Sequence, residues 1–492
     1  MVQRSALYHI SVVILVVTTV TVTTVTNADK DVIESWRQLD VGKAASQFKV
    51  EWCRQRMSRY DWKAKLQPCL PRVPWEHKDP VNEDTDPERS FVRSVDISPA
   101  GFYSKLFLQS VTSDGVVKST GGDFWRIDVR GEASVAADVY DKGDGTYEAV
   151  FLLPLAGEYQ IYITLDYTDC KGIKDPPADW FKRGMCNTHG SFQPPGSLHG
   201  RENDYVNQTL QGGAPIVIDV EPPLAKALAA NLFWYVLALN AFKVSGHLGC
   251  HDKCDVLWDG YGIWKEGNWV PYTPGLSVNL GGGSSHIRGQ GVFYIYGDSL
   301  NRYFFESLSR RPLCQGVFRA CYFTMTWVYA LRHTAKEEMD LAAGGKNIDI
   351  PRILAELKEA VTRQDMDEQS ALLLNAGVHL LKSSGFYTYQ KLINGIVSVL
   401  KQHFRGTVIW KTTTSLQAQR ELYSGCFRRF HTEQRTDLFN AYAMSAMCRA
   451  GFLVLDVYPL TKSYPAGTLD GVHYDNKVFS SAEDVLEEYF TS

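Results

Sequence analysis

From about residue 291 to the C-terminus the chain alternates strand-like and helix-like stretches, and no other feature restricts its fold as strongly. Val292–Tyr296 is an apolar run of strand length. Leu300, Phe304 and Leu308 follow at i, i+4 and i+8, which is one face of a helix. Cys321–Val328 reads as a second strand. In "DIPRILAELKEAV" Asp349 is a candidate N-cap, with Pro351 just inside a helix. Leu372–Leu374 is a short buried strand, Tyr387–Phe404 a helix, Thr407–Trp410 a strand, Thr436–Ala450 a helix and Phe452–Val457 a strand. Ser481-Ala-Glu-Asp484 resembles a capping box opening a last helix. This alternation predicts a doubly wound, mainly parallel sheet. In such sheets functional groups gather at the C-terminal ends of the strands.

A different pattern occupies residues 91–223. Phe124–Val129, Val135–Tyr140, Tyr147–Leu153 and Tyr159–Leu165 are short, rich in β-formers and separated by turn residues. Asp144-Gly145 between two of these runs is a strong hairpin signal. The regular spacing without helical periodicity predicts an all-β sandwich. "APIVIDVEPPLAK" (214–226) marks the boundary to residues 224–492. The Trp- and Gly-rich stretch 254–272 is expected to be a disulfide-tied loop capping the second domain.

At the N-terminus no charge lies between Arg4 and Asp29, and Ile10–Val17 is almost purely apolar. Residues 1–28 therefore read as a secretory signal peptide, or as an uncleaved type II membrane anchor over residues 5–28. Either places the rest of the chain in the secretory lumen, secreted or in the Golgi. The ten cysteines fit that compartment and are expected to form disulfides, with sequence neighbours such as Cys53 and Cys69 as the simplest pairing. Cys250-His251-Asp252-Lys253-Cys254 falls short of a four-ligand zinc set, so no metal is expected. Residues 29–90 read as a leader segment without clear periodicity. Asn207-Gln-Thr is a glycosylation sequon. The net charge of −4 lacks the basic field that a nucleic-acid partner would require.

Three motifs fall at the strand ends of residues 291–492. Gly297-Asp298-Ser299 follows the first strand and opens a helix, whose N-terminus offers free N–H groups and a positive dipole end. A serine needs a base and the base an orienting group, and "GTLDGVHYDN" supplies Asp470 and His473 on a loop after the last strand. Asn375 and Gly377 follow Leu372–Leu374, where an amide is placed to stabilise an oxyanion alongside the Ser299 N–H. Asp298 reads as a carboxylate accepting nearby backbone N–H groups. Arg302 reads either as a partner of Asp298 or Glu306 or as a substrate contact. His379 is a weaker substrate-binding candidate, and "WKTTTS" (410–415) reads either as sugar-binding hydroxyls or as a loop cap.

These motifs resemble the SGNH, or GDSL, hydrolase superfamily, and "GDSLNRYFFESL" is similar to the PC-esterase group that includes the trichome-birefringence-like proteins. "DKGDGTYEAVFLLPLAGEYQIYITL" resembles filamin-type immunoglobulin-like repeats, and "STGGDFWRIDV" with the same hairpin resembles the neurexophilin domain. Together they resemble the neurexophilin and PC-esterase (NXPE) family over residues 91–492. The resemblance implies an immunoglobulin-like sandwich before a three-layer α/β domain. It implies Ser299 as nucleophile, His473 as base, Asp470 as its orienter and Asn375 as oxyanion donor. A further oxyanion glycine, Gly344 or Gly345, belongs to the same pattern. The activity implied is O-acetyl transfer to, or hydrolysis from, glycans through an acyl-serine, without a cofactor and with no motif that specifies the acetyl donor. The alternative expectation is a secreted binding or adhesion protein on a non-catalytic esterase-like scaffold.

Overall fold

The computed structural model describes residues 41–77, 84–177, 201, 204–222, 250, 254, 256–272, 285–326, 348–417 and 429–492. The chain divides into two units, Met1–Trp52 and Cys53–Ser492. Helix α1 (Val41–Ser58) begins in the first unit and ends in the second, followed by α2 (Trp62–Leu66). The leader thus carries regular helix where no periodicity was expected. The signal or anchor segment lies outside the described residues. Among the described residues no helix is long and apolar enough to cross a membrane.

Nine strands follow: β1 (Phe91–Asp96), β2 (Tyr103–Gln109), β3 (Phe124–Gly131), β4 (Ser134–Ala136), β5 (Asp138–Asp141), β6 (Thr146–Leu152), β7 (Gly157–Tyr167), β8 (Gln208–Thr209) and β9 (Ile216–Val220). They form two antiparallel sheets. One has the order β1-β2-β6-β5; the other contains β4-β3-β7-β8, with β9 also paired to β7. Alternate side chains of both sheets meet in one core, including Leu106, Leu108, Ala149 and Phe151 from one and Trp125, Ile127, Val129, Ile161 and Ile163 from the other. The expected single strand over Val135–Tyr140 is two strands. The chain breaks at the fully buried Ala137 and crosses from one sheet to the other. The Asp144-Gly145 turn joins β5 to β6 as expected. Asp144 accepts the Thr146 N–H at 3.0 Å. Gly145 has φ 81°, and a Cβ there would stand 2.2 Å from the Lys118 carbonyl oxygen.

Residues 254–272 are not a capping loop. They supply β10 (Val256–Trp258), β11 (Gly262–Lys265) and β12 (Asn268–Pro271). The β11–β12 hairpin extends the antiparallel sheet through Trp264 opposite Ser134, whereas β10 pairs in parallel with the last strand of the second domain. One short stretch therefore belongs to both halves of the fold.

The second half is the expected parallel sheet. β13 (Gln290–Gly297) is flanked by β14 (Phe318–Met325) and β15 (Ala371–Leu374), and β16 (Thr407–Lys411) and β17 (Leu453–Leu455) complete the order β10-β17-β16-β15-β13-β14, every pair parallel. The intervening helices are α3 (Ser299–Leu308), α4 (Ile350–Val361), α5 (Val378–Ser383), α6 (Phe386–His403), α7 (Glu433–Ala450), α8 (Tyr458–Lys462) and α9 (Ser480–Thr491). Strand residues alternate between two cores, as the pleat requires. Tyr294, Leu372 and Trp410 pack with α4, α6 and α7, while Phe293, Ile295 and Ile409 pack with Phe304 and Leu308 of α3 and Leu486 of α9. Asp349 caps α4 by accepting the Arg352 N–H. The capping box expected at Ser481 is absent, because a 3-10 turn over Asn476–Phe479 runs straight into α9.

The neighbour pairing of cysteines holds only for Cys314–Cys321. The other described bridges are Cys53–Cys250, Cys69–Cys170 and Cys254–Cys448. Cys254 precedes β10 and Cys448 ends the helix before β17, so parallel pairing of those strands brings together cysteines 194 positions apart. These bridges fit an oxidising, secretory environment. Both cysteines of the Cys250–Cys254 motif are consumed by disulfides rather than left as metal ligands. Cys186 and Cys426 lie outside the described residues.

Candidate active site

In the parallel sheet β13 feeds β14 on one side, and the chain then returns to place β15 on the other. The strand order reverses between β13 and β15, and a crevice opens at the C-terminal ends of such strands. Ser299 stands at the end of β13 as the first residue of α3. Gly297 is required there by close approach rather than by a special turn: a Cβ would lie 2.5 Å from Asn301 Nδ2 and 2.9 Å from the Asn375 carbonyl oxygen. Asp298 is the N-cap, its Oδ1 accepting the Leu300 N–H at 3.0 Å. The Ser299 N–H, at the helix start, is engaged by no hydrogen bond among the described residues.

The loop after α8 brings the other two members. Ser299 Oγ lies 2.8 Å from His473 Nε2, and His473 Nδ1 lies 2.7 Å from Asp470 Oδ2. Asp470 Oδ1 accepts the N–H groups of Val472 and His473 at 3.0 and 2.8 Å, so the carboxylate is locked against the imidazole it orients. The loop is fastened in turn. The Gln417 side chain accepts from the Thr468 N–H, Gly471 N–H donates to Thr468 Oγ1, and Gln417 N–H donates to the Gly471 carbonyl. Gly471 takes φ 99°, a conformation L residues rarely adopt. Burial alone would raise the Asp470 pKa, but the bonds from His473 and Val472 prevail and hold it below the usual carboxylate value.

Asn375 is fully buried at the end of β15. Its Nδ2 donates to the Lys411 carbonyl at 2.9 Å and to Thr413 Oγ1 at 3.1 Å. Both amide hydrogens are thus committed, and the expected oxyanion role would require Asn375 to give up its bond to Thr413. Gly344 and Gly345 lie outside the described residues. Arg302 does not pair with Asp298. It is substantially exposed, lies 3.5 Å from Glu306, and stacks over the Tyr303 ring, whose edge contacts His473 with centroids 5.0 Å apart. His379 is held neutral, by burial first and then by the positive charges of Lys382, His431 and His473, which puts it beside the Ser–His–Asp group.

The hydroxyls of residues 410–415 do not face a sugar site. Thr412 donates to Asp456 and Ser415 to Glu433, and every residue of the stretch is buried. Asn207 is exposed with φ 48°, and its Oδ1 accepts from Tyr205 and Arg126. Sequence reasoning missed Tyr303 and Lys411; a tyrosine inside an amphipathic helix and a lysine ending a strand carry no signal of what they will face.

The site is therefore a hydrogen-bonded serine–imidazole–carboxylate chain at the switch point of a parallel sheet, in a mixed α/β protein that also carries antiparallel sheets. No family model matches the chain. The chain is similar to the crystal structure of the lipase/acylhydrolase from Enterococcus faecalis, with 15% identity and a TM-score of 0.28, over 40% of this chain and 95% of that one.

Proposed function

We propose that this chain is a serine-dependent acyl-ester enzyme of the secretory pathway, an O-acetyltransferase or O-acetylesterase acting on glycans. The observation that carries the reading is the unbroken chain Ser299 Oγ–His473 Nε2–His473 Nδ1–Asp470 Oδ2, at 2.8 and 2.7 Å. Asp470 at Nδ1 selects the tautomer whose Nε2 lone pair faces the hydroxyl. Ser299 Oγ attacks the acyl carbon as His473 takes its proton, and Asp470 stabilises the imidazolium. The developing oxyanion is drawn to the Ser299 N–H at the N-terminus of α3. His473 returns the proton to the leaving group. Water or a sugar hydroxyl, deprotonated by His473, then attacks the acyl-serine.

The carbohydrate class rests on the resemblance of the serine block to PC-esterases, and the secretory location on the apolar N-terminus and the disulfides. On the same reading residues 91–223 are an immunoglobulin-like sandwich, residues 224–492 an SGNH-type domain, and the whole an NXPE-type protein with Asn207 glycosylated. The test is purified protein incubated with a panel of O-acetylated and unacetylated glycans, followed by mass spectrometry. Gain or loss of acetyl groups that disappears in Ser299→Ala supports the reading; turnover persisting in Ser299→Ala refutes it.

A further inference from the structure

Behind the serine lies a charged group that the mechanism above does not use. Lys411 ends β16 and is fully buried, its Nζ making no hydrogen bond among the described residues. The ammonium stands over the rings of Phe304 of α3 and Phe479, 5.4 and 5.7 Å from their centroids. The charge that favours its protonated form is Asp298. Asp298 is also fully buried, and its Oδ2 has no hydrogen-bond partner of good geometry. The groups that favour the Asp298 carboxylate are Lys411 from β16, His473 from the catalytic loop, and the N–H groups of Leu300 in α3 and Val378 in α5. An unpaired buried charge is costly, and a lone lysine on an aromatic floor has an apolar replacement of similar volume.

We infer, resting on the acyl-transfer reading above, that Lys411 is a positioning residue of the serine site. Its buried ammonium keeps Asp298 ionised. The ionised Asp298 caps α3, so that Ser299 points at His473, and it sets a negative charge beside the imidazolium that forms during acyl transfer. Burial pushes Asp298 up to about 6 and pulls Lys411 down to about 8, each partly opposed by the other's charge. Both are charged between those values. Below the window Asp298 takes up a proton; above it Lys411 loses one.

The test is the rate at which a fluorophosphonate labels Ser299 between pH 5 and pH 10, in the full chain and in Lys411→Met, Asp298→Asn and the double variant. The wild-type rate is expected to fall above about pH 8. Lys411→Met is expected to lower it roughly tenfold or more near neutrality and to move the acidic limb of the profile toward higher pH. In the Asp298→Asn background the Lys411→Met change is expected to add nothing. A wild-type plateau through pH 10, which needs no variant to fold, overturns the inference. So does a Lys411→Met profile superimposable on the wild type, or an equal loss in the Asp298→Asn background. Failure of the wild-type chain to label at any pH overturns the acyl-transfer reading itself, and the inference with it.

Discussion

Ser299 and His473 are 174 positions apart in sequence and 2.8 Å apart at the rim of the parallel sheet. Nothing local brings them together. Ser299 is delivered by the end of β13 and the start of α3, and His473 by a loop tied through Thr468 and Gly471 to Gln417, just beyond β16. The relay is held by the fold's long-range connections, which shape the effects expected of substitution.

Replacing the nucleophile separates chemistry from folding. Ser299→Ala removes one hydroxyl from a half-buried helix start and leaves the Asp298 cap in place. It is expected to abolish fluorophosphonate labelling and lower any esterase rate by about 10³-fold or more. Thermal denaturation should show a stability change of under about 1 kcal/mol.

Removing the orienting charge is expected to be nearly as damaging. In Asp470→Asn the imidazole loses its anionic partner, and an amide nitrogen facing Nδ1 would favour the wrong tautomer, so the rate should fall about 10³-fold or more. The wild-type Asp470 carboxyl is held below its usual value, so its contribution to stability is complete above the unfolded carboxylate pKa. That contribution fades as pH falls through the lower, folded value. Acid titration followed by near-ultraviolet circular dichroism, wild type against Asp470→Asn, reads this component directly.

Asp298 titrates with the opposite sign. Burial raises its carboxyl to about 6, so this group favours the folded state most below the unfolded carboxylate value and loses that contribution as pH rises through about 6. The melting temperature of the wild type relative to Asp298→Asn should therefore decline between roughly pH 4 and pH 6. A difference independent of pH would show that the carboxyl is not raised.

A buried cation at the other end of the sheet tests stability alone. Arg59, nearly inaccessible, bonds Asp456 through Nε at 2.8 Å and Asp437 through Nη1 at 2.6 Å. Arg59→Met leaves Asp456 buried without its partner. It is expected to cost about 3–5 kcal/mol in urea denaturation. Arg59→Met with Asp456→Asn should recover part of that loss.

The disulfide network is checked by peptide mapping under non-reducing conditions, which should recover the linked pairs Cys53–Cys250, Cys69–Cys170, Cys254–Cys448 and Cys314–Cys321. Cys69→Ser with Cys170→Ser, which opens a loop spanning 101 positions, is expected to lower stability by about 2–5 kcal/mol.

Much of this protein is written in local pattern. The apolar run at 292–296, the i, i+4, i+8 spacing of Leu300, Phe304 and Leu308, and the Asp349-Ile-Pro351 start each dictate an element from residues a few positions apart. Those elements appear within a few residues of the expected bounds. The motifs at their ends were legible for the same reason: a serine after a strand and a histidine after the last strand must lie at one edge of a parallel sheet. The break at Ala137, the transfer of residues 262–271 to the antiparallel sheet, and three of the four described disulfides were not legible, because each depends on which distant strand lies alongside. Lys411 is the sharpest case. By itself it is a lysine closing a short strand, which composition assigns to the surface. Only the packing of β16 beside β15, under Phe304 and Phe479, buries its ammonium facing Asp298. Periodicity sets what each segment becomes because it acts through neighbouring residues; the partners of a buried charge are set by tertiary contact, where the chain is folded back on itself.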